Sequence, residues 1–369
     1  MSTPTIIPVH ASPEGAGTAG LSRRLAAAKK AYTTRFLSEA LDADPSGYRL
    51  LTGPDVVPVA GDIVLTRVER IGQLPRLESP VSRRQALFVG DEVLLAYANR
   101  YAPDQVLAEV PAGLGPCHLI AAGGLAGVVT ASHGTVGRPT QLAPLGLLAD
   151  AQGRLNLARF APRALDPQAP PRVRPHVVAV LGTSMNSGKS TAAACLVRGL
   201  TSAGLRVAAG KITGTGAGGD PRLFQDAGAV QVLDFTDYGY PTTFRLQAPE
   251  VRALAASMVS ALAESGPEAI VVEVADGLYQ GETRQLLNGP LLRTLVDTVL
   301  FAAGDAVGAC AGVGVLRAAG HVPAAVSGMV TVSPLAAAEA AAELDVPVIG
   351  TYDLARAETA MRLLAPVPE

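Results

Sequence analysis

"LGTSMNSGKSTAAACL" (residues 181–196) completes the apolar run "HVVAVLG" and opens an alanine-rich amphipathic segment. A phosphate-binding loop needs glycines, so that the backbone closes around an anion with its N–H groups inward. It then needs a lysine for the β/γ oxygens and a hydroxyl for magnesium at the start of the next helix. Gly188, Lys189 and Ser190 supply that second half. The first half departs from strict G-x4-GK[ST] spacing, because Gly182 comes one residue early and Thr183 stands in the usual glycine place. A buried-type strand before and a helix after are the context such a loop requires. The expected cradle is therefore Gly182, Thr183, Ser184, Met185, Asn186, Ser187, Gly188, Lys189, Ser190 and Thr191.

Outward from the loop, strand-like and helical segments alternate: a helix at 188–203, "RVAAGK", a helix at 249–264, "AIVVEVA", "DTVLFAA", a helix near 308–319, "AAVSGMV", a helix at 334–343 and "PVIGTY". Continuous Val/Ile/Ala runs without polar alternation are strands covered by helices on both faces. Residues 176–369 are thus expected to form an α/β P-loop NTPase domain with a mostly parallel sheet.

Residues 162–175, "PRALDPQAPPRVRP", contain five prolines, which fix φ and remove backbone donors, so they read as a linker between two domains. Upstream, residues 1–50 read as a tail followed by one helix over 19–43, with Arg23, Arg24, Lys29, Lys30 and Arg35 on a solvated face. Residues 51–161 carry short β-rich runs such as "GDIVLTRV", "QALFVGDEVLLAYA" and "CHLIAA", the pattern of a barrel or sandwich. Gly61-Asp62 and Gly90-Asp91 suggest similar turns into paired strands. "NRYAPDQ" (99–105) is a polar, aromatic loop, open to reading as a ligand-facing loop or as ordinary surface.

The loop "GTSMNSGKS" resembles the "GTDTxVGKT" loop of dethiobiotin synthetases, which carries the same extra residue. "KITGTG" (211–216) matches that family's "KPVxTG" at Lys211, Thr215 and Gly216; Asp226-Ala227 is similar to its Asp-Ala pair; "VEVADG" (272–277) keeps Glu273 and Gly277 of its "VEGAGG". The likeness spans about residues 176–355. "NSGKST…GLRVAAGK" with "DPRLFQDAGAVQVL" is also similar to the P-loop protein of molybdopterin-guanine dinucleotide assembly, and the two-domain layout to a P-loop family linked to N-acylation of D-glutamate. Residues 1–161 have no counterpart in dethiobiotin synthetases, and the family's adenine-reading asparagine has no match at "MVTVSP" (329–334).

The resemblance implies ATP and Mg²⁺ as cofactors, with Lys189 and Lys211 on phosphate oxygens and Ser190, Asp226 and Glu273 on the metal, Asp220 standing as the near alternative to Asp226. The chain lacks an NKxD guanine signature, which points to ATP. Thr215, Tyr279, Glu282 and Arg284, in polar loops that should end near the phosphates, are expected to contact a small-molecule substrate, Arg284 suiting a carboxylate. The expected function is an ATP-dependent ligase or kinase that activates an amine- or carboxylate-bearing metabolite. The alternative from another class is a nucleotide-switched accessory NTPase in cofactor assembly.

A net charge of −2 gives no general attraction to nucleic acid or anionic membrane, and no run of 18 apolar residues spans a bilayer. The three cysteines lie far apart and the five histidines are isolated, so neither a disulfide scaffold nor a structural metal site is expected. These features point to a cytoplasmic protein, and the P-loop likeness to a homodimer.

Overall fold

The computed structural model describes residues 18–166 and 175–365. The apolar runs of the C-terminal half form six parallel strands in the order Gln231–Asp234, Val207–Thr213, Ala269–Val274, His176–Gly182, Thr298–Ala302 and Pro323–Ser327. Alternate residues of the central strand feed opposite faces. Val177, Ala179 and Leu181 join one apolar cluster with Leu254, Met258 and Leu262 of helix Ala248–Ala263, whereas Val178 and Val180 join another with Leu196, Val197 and Leu200 of helix Lys189–Ser202. Burial on both faces is why these runs show no polar alternation. "PVIGTY" forms no strand: Val348 makes only an isolated bridge to Val326, and the chain turns into a 3₁₀ segment at Thr351–Ala355.

In the N-terminal half, five strands close on themselves. Glu92–Tyr97 pairs Ile63–Arg70, which pairs Thr140–Asp150, then Cys117–Ala121, then Leu125–Ser132, which returns to Glu92–Tyr97. Of the two expected architectures, the barrel is the one observed. The Gly61 and Gly90 turns both place glycine in the left-handed region, φ +87° and +92°, and lead into strands that pair with each other. The Thr140–Asp150 strand is missing from the sequence expectation because Pro144 and Gly146 interrupt its pattern; the register shifts there, which accommodates both residues.

The single helix expected over 19–43 is instead two, Thr18–Ala27 and Arg35–Ala43. Between them Lys29–Lys30 pairs in parallel with Val93 and Leu94 at the barrel wall, a tertiary bond that outcompetes helix continuation. Of the five basic residues, Arg24, Lys29, Lys30 and Arg35 are tied down by ion pairs and Arg23 is exposed. Arg24 pairs with Glu92, Lys29 with Asp91, and Arg35 reaches the other half to donate to Thr236 Oγ1 (2.7 Å) and Asp237 Oδ1 (2.9 Å).

The halves meet closely. Tyr32 donates to Asp234 (3.0 Å), the Gly218 amide donates to Glu78 (3.1 Å), and a Cβ on Gly123 would lie 2.0 Å from the Gly216 carbonyl. The linker's first residues also pack, the Asp166 amide donating to Ser257 Oγ (2.7 Å), while 167–174 lie outside the described residues.

Candidate functional site

The loop 183–188 leaves the carboxyl end of the central strand, where open α/β sheets bind ligands. Gly188 takes φ +95° at the N-cap of the following helix, and its position against Gly328 leaves a side chain only 3.0 Å. Asn186 adopts φ +63° and donates to Asp104 of the barrel (2.7 Å). Lys189 folds back over the loop and donates to the Ser184 carbonyl (2.6 Å). Of the expected cradle, Met185, Asn186, Gly188, Lys189, Ser190 and Thr191 line a cleft of about 560 Å³. Gly182, Thr183, Ser184 and Ser187 support it from beneath, Thr183 bonding to Ala302 and Ser187 receiving the Met329 amide (2.9 Å).

Lys211, on the next strand but one, pairs with Asp220 and with Glu273 Oε1 (3.3 Å). Burial opposes its ionisation, yet Glu273 and Asp220 together outweigh burial and hold the ammonium above the ordinary lysine range. Against the opposing influence of burial, Lys211 and the Ser190 hydroxyl hold Asp220 below the ordinary carboxylate range. Lys189 is pulled down by burial, with Glu273 pulling the other way. Glu273 is 2% exposed, and its Oε2 has no hydrogen-bond partner among the described residues. A buried carboxylate oxygen left free beside a hydroxyl and a second carboxylate fits a hard cation that takes oxygen ligands and shares them with phosphates.

Asp226 is corrected by this geometry. It ends the helix Gly219–Asp226 and is exposed, whereas Asp220 sits in the helix's first turn and lines the cleft. Six residues of helix separate the two by about 9 Å. Of the expected substrate residues, Thr215 lines the cleft and bridges Thr242. Glu282 is buried and accepts from the Arg245 amide (2.6 Å), a structural bond. Tyr279 is 75% exposed and Arg284 is exposed, and neither lines the cleft, so the loop 276–284 presents them outward. "DFTDYGYPTTF" turns its acids to the junction with Tyr32 and Arg35, and none of its residues lines the cleft.

Three polar side chains of the cleft were not assigned from sequence. Asp276, just past the strand carrying Glu273, adopts φ +65°, and burial raises its carboxyl despite Lys189 and Lys211. Its place in "VEVADG" was the available signal. Arg100 and Tyr101 come from the barrel loop 99–105, which faces the cleft. Among the described residues no three His, Cys, Asp or Glu side chains cluster as a metal site, and no helix is long and apolar enough to cross a membrane.

The C-terminal half is an α/β fold with a parallel six-stranded sheet, in which the glycine-rich loop joins the central strand to the helix Lys189–Ser202. No family profile and no curated protein matches the chain. Solved structures similar to it include the signal recognition particle receptor FtsY from Elizabethkingia anophelis in complex with GDP (18% identity, TM-score 0.36, covering 52% of this chain and 61% of that one). Others are the signal recognition particle 54 kDa protein from Aeropyrum pernix K1 in complex with GDP (20%, 0.35, 56% and 50%) and chloroplast FtsY from Physcomitrella patens (16%, 0.37, 57% and 71%). The chain thus spans half to about three fifths of the length of the first two. The expected dethiobiotin synthetase-like ligase or kinase is corrected on the cleft itself: of its four expected substrate residues only Thr215 lines it, Glu282 is buried against the Arg245 amide, and Tyr279 and Arg284 are exposed outside it.

Proposed function

We propose that this chain is a nucleotide-switched accessory NTPase, in which binding and hydrolysis of a nucleoside triphosphate set the relation between the P-loop half and the barrel, and a protein partner reads that relation. The observation that carries it is the make-up of the cleft, whose floor is the P-loop with Lys189 and whose opposite wall includes Arg100 and Tyr101 of the barrel. A phosphate at the floor is therefore within reach of both halves.

Ser190, Asp220 and Glu273 would hold Mg²⁺, which supplies charge neutralisation at the phosphates. Lys189 and the loop amides bind the phosphate chain, and Lys211 adds a second cation fixed by its two carboxylates. Asp276, whose carboxyl burial raises, stands at the same wall. Cytoplasmic location and self-association belong to the same proposal.

The test titrates ATP and GTP, each with and without Mg²⁺, and measures hydrolysis alone, with a metabolite mixture and with a protein fraction. Slow intrinsic hydrolysis that a protein accelerates supports the switch. Absence of binding by either nucleotide, or stimulation by metabolites alone, overturns it.

A further inference from the structure

Buried cations in a folded chain are normally paired, because an uncompensated charge taken out of water is costly. In the cleft, Lys211 obeys this rule with two carboxylates. Two other cations do not: among the described residues neither Lys189 nor Arg100 lies within ion-pair distance of a carboxylate. Lys189 is accounted for by the P-loop. Arg100 belongs to the barrel, is only 8% exposed, and is held in place from two sides, donating through Nη1 to the Ile120 carbonyl and through Nη2 to Gln105 Oε1 (2.8 Å). Its Nε, fully buried, has no partner among the described residues. Its loop is clipped to the P-loop by the Asn186–Asp104 bond.

We infer that Arg100 is an anion-binding residue supplied by the barrel to the terminal phosphate of the nucleotide, so that the barrel distinguishes the triphosphate from the diphosphate state. The inference rests on the nucleotide reading of the cleft and deepens it. A guanidinium carries spare N–H donors in a rigid fork suited to phosphate oxygens, and a terminal phosphate supplies at contact distance the negative charge that Asp276 offers only from beyond ion-pair range. Burial favours this outcome twice. It keeps the guanidinium oriented before the ligand arrives, and it strengthens the attraction by excluding water. Loss of the terminal phosphate on hydrolysis leaves Arg100 with only the more distant Asp276 carboxylate, which disfavours the barrel's seat over the loop.

The test measures affinity for a non-hydrolysable triphosphate analogue and for the diphosphate, ATP and GTP series alike, in the full-length chain. Arg100→Gln should weaken triphosphate binding about tenfold or more, the scale of a lost charge-assisted bond, and leave diphosphate binding unchanged. Because a buried residue is being replaced, Arg100→Lys is measured beside it; retaining charge but not the fork, it should recover part of the discrimination while keeping the wild-type fold by circular dichroism. Unaltered discrimination in both variants overturns the inference. Equal loss for both nucleotides overturns it too, assigning Arg100 to the fold or to another phosphate. Restoration of binding by inorganic phosphate added with diphosphate, in wild type and not in Arg100→Gln, supports the same site. If wild type binds no nucleotide, the underlying reading fails instead.

Discussion

Lys189 is the residue whose loss separates a phosphate cradle from a glycine-rich turn. Removing its charge-assisted bonds costs about 1.5–3 kcal/mol, so Lys189→Ala should bind triphosphate roughly ten to a hundredfold more weakly while staying folded, as isothermal titration would show. Unchanged affinity would mean that the loop holds no phosphate. Asp237 carries a second residue-level prediction. Burial and the neighbouring Asp234 push its carboxyl up to about 6, although Arg35 pulls it down. Between the ordinary value of 3.8 and about 6 the folded chain then binds more proton than the unfolded one, so this group makes stability fall as pH rises through that window. The slope is limited to about 1.4 kcal/mol per pH unit for one proton. Denaturant melts from pH 4 to 6.5 should show that component missing in Asp237→Asn; an identical pH profile in wild type and variant would refute it. Arg100, by contrast, was invisible at this scale, since a lone arginine in "NRYAPDQ" gains meaning only when the barrel lays its loop beside Lys189.

At the scale of elements, periodicity exposed what burial dictates. The run "HVVAVLG" is the observed strand His176–Gly182, because two-sided covering leaves a plain apolar signature, and the helix expected at 334–343 is Pro334–Glu343, opened by the Ser333 N-cap and by proline in its first turn. Elements fixed by long-range pairing stayed hidden. Lys29–Lys30 breaks a helical pattern to join a strand 64 residues on, and Thr140–Asp150 bends through Pro144 to complete the barrel. Which aspartate faces the cleft was hidden for a related reason: both lie on one short helix, and only the helix's direction, N-terminus toward Lys211, places Asp220 there and Asp226 away from it. Asp220→Asn should therefore abolish Mg²⁺-dependent hydrolysis, while Asp226→Asn, at the exposed far end, should leave turnover at the wild-type level. The reverse pattern in a steady-state phosphate-release assay would return the role to Asp226.

For the whole molecule, the junction matters more than a flexible linker would suggest. A proline-rich stretch read as a tether begins with residues packed on the P-loop half, and glycines of the two halves approach backbone to backbone at Gly123 and Gly216. A methyl group at Gly123 has nowhere to go, since its nearest neighbour is a main-chain carbonyl that cannot rotate aside. Gly123→Ala should loosen the seam, seen as faster amide exchange at 32–35, 214–218 and 99–105, and lower triphosphate affinity with each core still folded. Wild-type exchange at all three segments would show that the seam yields at no cost. The bond from Arg35 to Asp237 also spans 202 residues of sequence. On a ribosome adding about 5–20 residues per second, the barrel emerges and closes while its partner surface is still unmade, so Arg35 waits on the order of 10–40 s for its acceptors. During that interval Arg24 and Lys29 already have their acceptors in the barrel half, and Arg35 alone depends on residues that follow the phosphate-binding loop.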